Sequence, residues 1–389
     1  MSVPVSQGEG LPARTPPKPL RVLSVLPPRE RFAPDEAGAI ALLVHRMAGE
    51  GEVVLGSPPA TSPYTDVPFV PVPSVMFPLG GMGRYRAGVA RVIGRLRPDL
   101  VEVHNRPDLA RALSLRFPHM PLSLVLHNDP CGMRGCKTAP ERTGLARRVA
   151  VVAVSGWVRA RFIADGAQGC VTVRPNGLDL AALPAPIPVR DNVVLFAGRV
   201  VADKGVDAFV RACACVLPHH PTWQARIIGA DRFGPQSPQT DFLATVQGLA
   251  QAAGVSMAGY QPHAQVLQAM SHAAIVVVPS RWAEPFGMAA LEAMGCGAAV
   301  VTSRKGGLPE VAGPAALYAS PDDLPGMVDA LERLISDANL RAHMGQAGRA
   351  RAQMFDSAAL RPQRQNFLAR LVQVWPHVDA LNRGETGPV

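Results

Sequence analysis

Ser280-Arg-Trp-Ala-Glu-Pro-Phe-Gly-Met-Ala-Ala-Leu-Glu-Ala-Met-Gly-Cys-Gly297 decides the reading of this chain of 389 residues. It follows the apolar run Ala274 to Val278, the pattern of a strand buried on both faces. Pro285 and Gly287 break the chain into a turn. Met288 to Cys296 brings strong helix formers, and Gly295 and Gly297 mark the end. A strand, turn and helix in this order put the free N–H groups of Phe286, Gly287 and Met288 at a helix N-terminus, where anions are favoured. Glu284 in the turn and Glu292 about two turns into the helix flank that point with carboxylates that accept hydroxyl hydrogens. A ligand with phosphate in its middle and hydroxyl-bearing groups at both ends fits this order.

In this setting Glu284-x7-Glu292 resembles the E-x7-E signature of family 4 glycosyltransferases of group 1 type, which are retaining and use nucleotide sugars. A bare E-x7-E carries little. Embedded between a buried strand, EPFG and AMGCG it is specific, and two merely solvated glutamates become the weaker reading. Further stretches share the resemblance. Gly198-Arg199 to Lys204-Gly205 is similar to the family's G-R-x4-K-G element at the donor phosphates. Pro175-Asn-Gly-Leu-Asp179 resembles its interdomain turn, with Leu178 a mild departure. Gly259-Tyr260-Gln261-Pro262 falls where the family cradles the nucleotide base, and Gly306-Gly-Leu-Pro-Glu310 resembles the turn after the next strand. The likeness is dense from about 171 to 313 and looser over 20 to 170.

The resemblance implies an α/β chain with the GT-B fold, two Rossmann-like parallel-sheet domains facing across a cleft. The expected organisation is a disordered tail over 1–18, an acceptor-side domain over 19–185 and a nucleotide-sugar domain over 186–356. Over 357–389 a last helix is expected to cross back to the first domain. By the same resemblance Glu284 orients the donor sugar and Glu292 holds the ribose. Arg199 and Lys204 neutralise the diphosphate. Phe286, Gly287 and Met288 offer backbone N–H groups, and Tyr260 lies by the base. Gly38 stands where the family carries a glycine-rich loop, here reduced to a single glycine. The implied co-substrate is a nucleoside diphosphate sugar, UDP- or GDP-linked, with no other cofactor. With no evident nucleophilic side chain, front-face attack by the acceptor is the implied route.

The first half supplies the other wall. Asp35 to Arg46 reads as a helix, with His45 and Arg46 suited to its last turn. Asp99 to His104 is a strand entering a loop, and loops at the carboxyl ends of parallel strands face ligands. His104, Asn105 and Arg106 are therefore expected on the acceptor side of the cleft. The strand Leu122 to Leu126 ends in His127-Asn128-Asp129. His127 resembles the family's active-site histidine, and Asn128 is expected beside it on the acceptor side. The alternative for His127 is a satisfied loop histidine. Cys131 to Arg148 reads as a mobile basic loop over the cleft.

Composition limits the partners. The chain has 39 Lys and Arg against 30 Asp and Glu, a net charge of +9 that favours anions. No helix-turn-helix, zinc-finger or aromatic RNA-binding motif accompanies that charge, so nucleic acid is not an expected partner. Arg84, Arg91 and Arg95 fall near one face of a helix over about 84–96. That helix is either an ordinary domain helix with a solvated face or a contact with an anionic membrane. No apolar run reaches the roughly 18–20 residues of a membrane span, and no secretory pattern opens the chain. The expected location is cytoplasmic, with peripheral contact at the inner face of the membrane if the second reading of that helix holds. Six scattered cysteines suit free thiols in a reducing compartment. His127, Cys131 and Cys136 lack the spacing of a zinc site, so no metal is expected. The absence of D-x-D argues against the other large glycosyltransferase fold, which holds a metal at the diphosphate.

The resemblance therefore predicts transfer of a sugar to a hydroxyl of a glycan or lipid-linked acceptor, in cell-envelope polysaccharide or lipopolysaccharide synthesis. A GT-B nucleotide-sugar epimerase is an alternative; it needs more acid–base groups around one sugar than His127 and Glu284. A catalytically silent nucleotide-sugar-binding scaffold is another, weakened by the intact donor elements. A nucleic-acid binder read from charge alone predicts strongly salt-dependent binding that does not need Glu284.

Overall fold

A computed structural model describes residues 19–34, 36–74, 80–185, 187–231 and 239–383. The expected tail over 1–18 and Asp35 lie outside the described residues. The first half runs β1 (Val22–Val25), α1 (Ala39–Met47), β2 (Glu52–Gly56), β3 (Phe69–Pro71), α2 (Gly81–Leu96), β4 (Leu100–His104), α3 (Pro107–Arg116), β5 (Leu122–Leu126), α4 (Ala139–Ala146), β6 (Ala150–Ala153), α5 (Gly156–Ile163) and β7 (Val171–Val173). Its strands form one parallel sheet in the order β3-β2-β1-β4-β5-β6-β7.

The second half runs β8 (Asp191–Ala197), α6 (Val206–Val216), β9 (Gln224–Ile228), α7 (Asp241–Ala252), β10 (Ser256–Met257), α8 (His263–His272), β11 (Ala273–Val278), α9 (Met288–Gly295), β12 (Ala299–Thr302), α10 (Leu308–Ala312), β13 (Leu317–Tyr318), α11 (Leu324–Ser336) and α12 (Ala338–Gln353). Its sheet is also parallel, in the order β10-β9-β8-β11-β12-β13. Each sheet reverses its winding once, between β1 and β4 in the first and between β8 and β11 in the second. Ligands of open α/β sheets collect at such reversals, outside the carboxyl ends of the strands.

The central strands are buried along their whole length, as continuous apolar runs require: Leu100 to His104, Leu122 to Leu126 and Ala273 to Val278 have no exposed position. The helices bury one stripe each. Tyr85, Val89, Val92 and Ile93 of α2 face the core, which leaves Arg84, Arg86, Arg91 and Arg95 exposed. The apolar side of this basic helix is thus already packed within its own domain. No helix among the described residues is long and apolar enough to cross a membrane.

A final helix, α13 (Ser357–Arg383), returns from the second half to the first. Two backbone bonds set its departure: Leu178 N–H donates to Phe355 O at 2.8 Å, and Ser357 N–H donates to Leu178 O at 2.9 Å. Arg364 on α13 then reaches under the first sheet to Glu52 and Glu102, at 2.8 and 2.7 Å. Arg361 donates to Arg46 O at 2.9 Å and Arg364 to Met47 O at 3.2 Å, so two cations meet the carbonyl end of α1.

Two local expectations change. The first helix starts at Ala39, with Gly38 in extended backbone as its N-cap, and Pro34 and Glu36 before it lie in turns. The stretch after His127 is not loop throughout. It folds into a short turn and then α4, whose start is a reciprocal capping box between Thr138 and Glu141. Arg142, fully buried, fastens α4 by donating to the carbonyls of Phe162, Cys136, Lys137 and Ala164. Local sequence does not show that four carbonyls await its charge.

Candidate active site

The two reversals face each other across a cleft. One cavity there, about 550 Å³, is lined from the second half by Lys204, Ser280, Glu284 and the Phe286–Met288 turn, and from the first half by Gly38, His127 and Asn128. A second, about 310 Å³, is lined by Gly38, Arg46, Arg199, Tyr260, His263 and Glu292. Gly38, Gly198, Met288 and Ala289 border both, so the two are neighbouring parts of one cleft. Both lie within or near the volume range of small-molecule sites.

The turn before α9 is built to approach a ligand closely. Gly287 has φ +110°, and a Cβ there would meet Cδ2 of Leu308 at 2.7 Å. Among the described residues, no side chain caps the N-terminus of α9. Phe286 turns inward, 5% exposed, and meets Phe355 edge-on with ring centroids 5.7 Å apart. Burying such a ring is worth about 1.5–3 kcal/mol, which anchors the turn at the start of α9.

The two charged segments of the second half interlock. Asp203 O accepts from the N–H groups of Arg281 and Trp282 at 2.8 and 2.9 Å, tying the loop after β8 to the loop after β11. Gly205, with φ +68°, lets that loop pass: a Cβ there would lie 1.9 Å from Pro279 O. Lys204 Nζ ion-pairs with Oε1 of Glu284, and Ser280 Oγ donates to the same oxygen at 2.9 Å. Glu284 is thereby held in the cleft with its charge balanced. Glu292 is 8% exposed; its Oε1 lies 2.9 Å from His263 Nε2 and 3.5 Å from Arg46 Nη2. The Arg46 contact crosses from α1 of the first half.

On the facing wall the expected residues separate. His127 and Asn128 border the cleft. His104 does not: it is 5% exposed, beneath His127, with Nδ1 3.1 Å from His127 Nε2. The last residue of β4 is still inside the sheet, so its side chain meets the core. Asn105 is a support, its Oδ1 accepting from the backbone N–H of His127 at 3.1 Å. Arg106 turns away to Asp108, 2.7 Å from its Oδ2, at the start of α3. Burial holds both imidazoles uncharged. His104 is lowered to about 3 by burial and by the Arg364 charge, and His127 is lowered well below the usual histidine range by burial and by His104.

Glu30, Arg46 and His263 were not among the expected site residues. Glu30 lines the larger cavity and accepts from Ala41 N–H at 3.0 Å, at the N-terminus of α1. Burial raises its pKa. Gly38 is the counterpart of this contact, since a Cβ there would lie 2.5 Å from the Glu30 carboxylate. His263, directly after Gly259 to Pro262, had a local cue in that segment. Arg46 had none, because its partner lies in the other half. Among the described residues no cluster of histidine, cysteine and carboxylate side chains has the arrangement of a metal site. Cys131 instead donates its thiol to Arg161 O at 3.3 Å.

Comparison with known proteins agrees with this architecture. The description "Glycosyltransferase Family 4" matches residues 41–182, and "Glycosyl transferases group 1" matches residues 184–351. A D-inositol 3-phosphate glycosyltransferase from Corynebacterium jeikeium is 34% identical over 175 residues. That match covers 43% of this chain and 41% of the relative, less than half its length. The sucrose-phosphate synthase structure from Thermosynechococcus elongatus superposes with a TM-score of 0.74 at 20% identity, covering 91% of this chain and all of that one. Anabaena HepE, solved in complex with UDP, gives 0.73 at 20% identity over 90% of this chain and all of that one. The chain belongs to glycosyltransferase family 4 and has the two-domain GT-B fold.

Proposed function

We propose that the protein transfers a sugar from a nucleoside diphosphate sugar to a hydroxyl of a glycan or lipid-linked acceptor, with retention of anomeric configuration. The observation that carries this reading is the convergence of Lys204, Glu284, the N-terminus of α9 and Glu292 on one cleft. In this reading the base lies along Gly259 to Gln261 and the ribose hydroxyls donate to Glu292. The diphosphate rests between Arg199, Lys204 and the N–H groups of Phe286, Gly287 and Met288. Two fixed cations and a helix dipole stabilise the charge that develops as the nucleotide departs. Glu284 accepts from hydroxyls of the donor sugar, and His127 meets the sugar from the other wall. The acceptor enters along Asn128 and the loop before α1.

UDP is the favoured nucleotide, by likeness to the Anabaena protein solved with it. A role in envelope polysaccharide or lipopolysaccharide synthesis, with peripheral contact at an anionic membrane, is supported by the +9 charge and the exposed arginines of α2. A thermal-shift screen against UDP, GDP, ADP and TDP tests the donor assignment. A nucleotide at about 100 times its dissociation constant stabilises the fold by about 2.7 kcal/mol. The expected result is a clear shift with UDP; no shift with any of the four at millimolar concentration contradicts the transferase reading.

A further inference from the structure

Beneath His127 runs a line of buried polar groups that the proposed chemistry does not use. Arg364 holds Glu102, with Nη2 2.7 Å from its Oε1. The same Oε1 lies 3.4 Å from Nε2 of His104, near enough for charge attraction but without the geometry of a hydrogen bond. Nδ1 of His104 is 3.1 Å from Nε2 of His127. Asn105, in left-handed backbone at φ 56°, fixes the His127 main chain from the other side. His127 borders both the cleft cavity and a smaller one of about 110 Å³ against the first sheet, which Glu102, His104 and Arg364 also line.

Two neutral imidazoles can share their hydrogen bond in two ways. If His104 donated from Nδ1, its Nε2 lone pair would face the Glu102 carboxylate. The proton of His127 would then sit on Nδ1, which, like Nε2 of His104, is a buried atom without a hydrogen-bond partner among the described residues. Buried N–H groups without an acceptor are rare and costly. In the opposite order, Nε2–H of His104 faces the Glu102 carboxylate at 3.4 Å, a charge–dipole attraction in place of the lone-pair repulsion, and Nε2–H of His127 donates to Nδ1 of His104. Only a lone pair is left on Nδ1 of His127. We infer that Glu102 and His104 are positioning residues that keep His127 neutral, protonated on Nε2, with Nδ1 as an acceptor. This rests on the reading of His127 as a group that meets the sugar, and it specifies the role: His127 presents a neutral ring in a fixed orientation, with no proton on Nδ1 to give. Burial, which lowers the pKa of both rings, acts in the same direction.

Long-range proton–nitrogen NMR spectra of histidine-labelled full-length protein at pH 7 test the tautomer directly. His104→Leu removes the acceptor, and His104→Asn keeps an oxygen able to accept from His127; both leave the Glu102–Arg364 pair intact. The expected wild-type spectrum shows His127 protonated on Nε2 alone. His104→Leu should mix or reverse that tautomer and lower kcat about 10- to 100-fold with the donor KM unchanged, and His104→Asn should restore both. A wild-type His127 protonated on Nδ1 or on both nitrogens overturns the inference, as does an unchanged His127 signal in folded His104→Leu. If His127→Ala leaves turnover intact while the tautomer is as expected, the positioning arrangement stands and only the proposed role of His127 in the reaction falls.

Discussion

The two walls of the cleft are built in different ways. The second-half wall is local: residues 280–297 supply Glu284, the helix N-terminus and Glu292 on one strand, turn and helix. Its partner loop, with Arg199 and Lys204, is a second contiguous stretch. The first-half wall is assembled from far apart. His127 on β5 rests on His104 from β4, which faces Glu102, and Glu102 pairs with Arg364 from the last helix, 262 residues away. A local site can be read from short stretches because the backbone geometry that makes it is encoded next to the side chains that use it. A site made by sheet neighbours and a returning helix has no such signature.

The difference predicts where substitutions act. The largest effect should come from Arg364→Ala. It leaves Glu52 and Glu102 buried without their cation, and breaking such pairs costs about 3–5 kcal/mol. Denaturant unfolding at 25 °C measures it, and a loss below about 1 kcal/mol, in the range of an exposed pair, would show that this hub does not hold the first domain.

Glu284→Gln belongs to the other wall and should act on rate. It keeps the shape and removes the charge that faces Lys204. The expected loss in kcat is about 10²- to 10³-fold, the range for one preorganised electrostatic contact, with little change in stability. Initial rates of nucleotide release at saturating donor and acceptor provide the check. An unchanged kcat would detach Glu284 from the chemistry.

Most of the donor wall was legible. The parallel sheets followed from apolar runs such as Ala274 to Val278, and the EPFG turn from Pro285 and Gly287. What escaped was tertiary. Arg46 looked like an ordinary last-turn cation because its carboxylate, Glu292, sits in the other domain. His104 looked like a cleft residue because the last residue of β4 could not be told from the first residue of the loop. Arg142 fell inside a stretch read as one basic loop, with no local sign of the four carbonyls it holds. The α4 start was an exception: Thr138-x-x-Glu141 is a capping box in plain sequence, outweighed by the glycines and arginines around it.

A smaller effect separates the walls by pH. In the unfolded chain His104 and His127 bind protons below about 6.5, whereas burial keeps them unprotonated in the native state, His104 down to about 3. The unfolded state then holds more protons, so stability falls as pH falls through that window. The slope is about 1.4 kcal/mol per pH unit for each fully displaced histidine. His104→Leu should flatten the dependence between pH 6 and pH 5 relative to wild type. Equal slopes for the two proteins would mean that His104 carries no such burden.

The most direct test of the division between the walls is calorimetric binding of UDP, or of whichever nucleotide the screen selects, to wild type, Glu292→Ala and His127→Ala. Glu292→Ala loses charge-assisted hydrogen bonds to the ribose, worth about 1.5–3 kcal/mol, and should bind at least roughly tenfold more weakly. His127→Ala should bind the nucleotide within about twofold of wild type, since a nucleotide without its sugar has no group to offer that wall. Unchanged affinity in Glu292→Ala, or affinity lost in His127→Ala, would contradict a donor nucleotide site that centres on Glu292 and excludes the His127 wall.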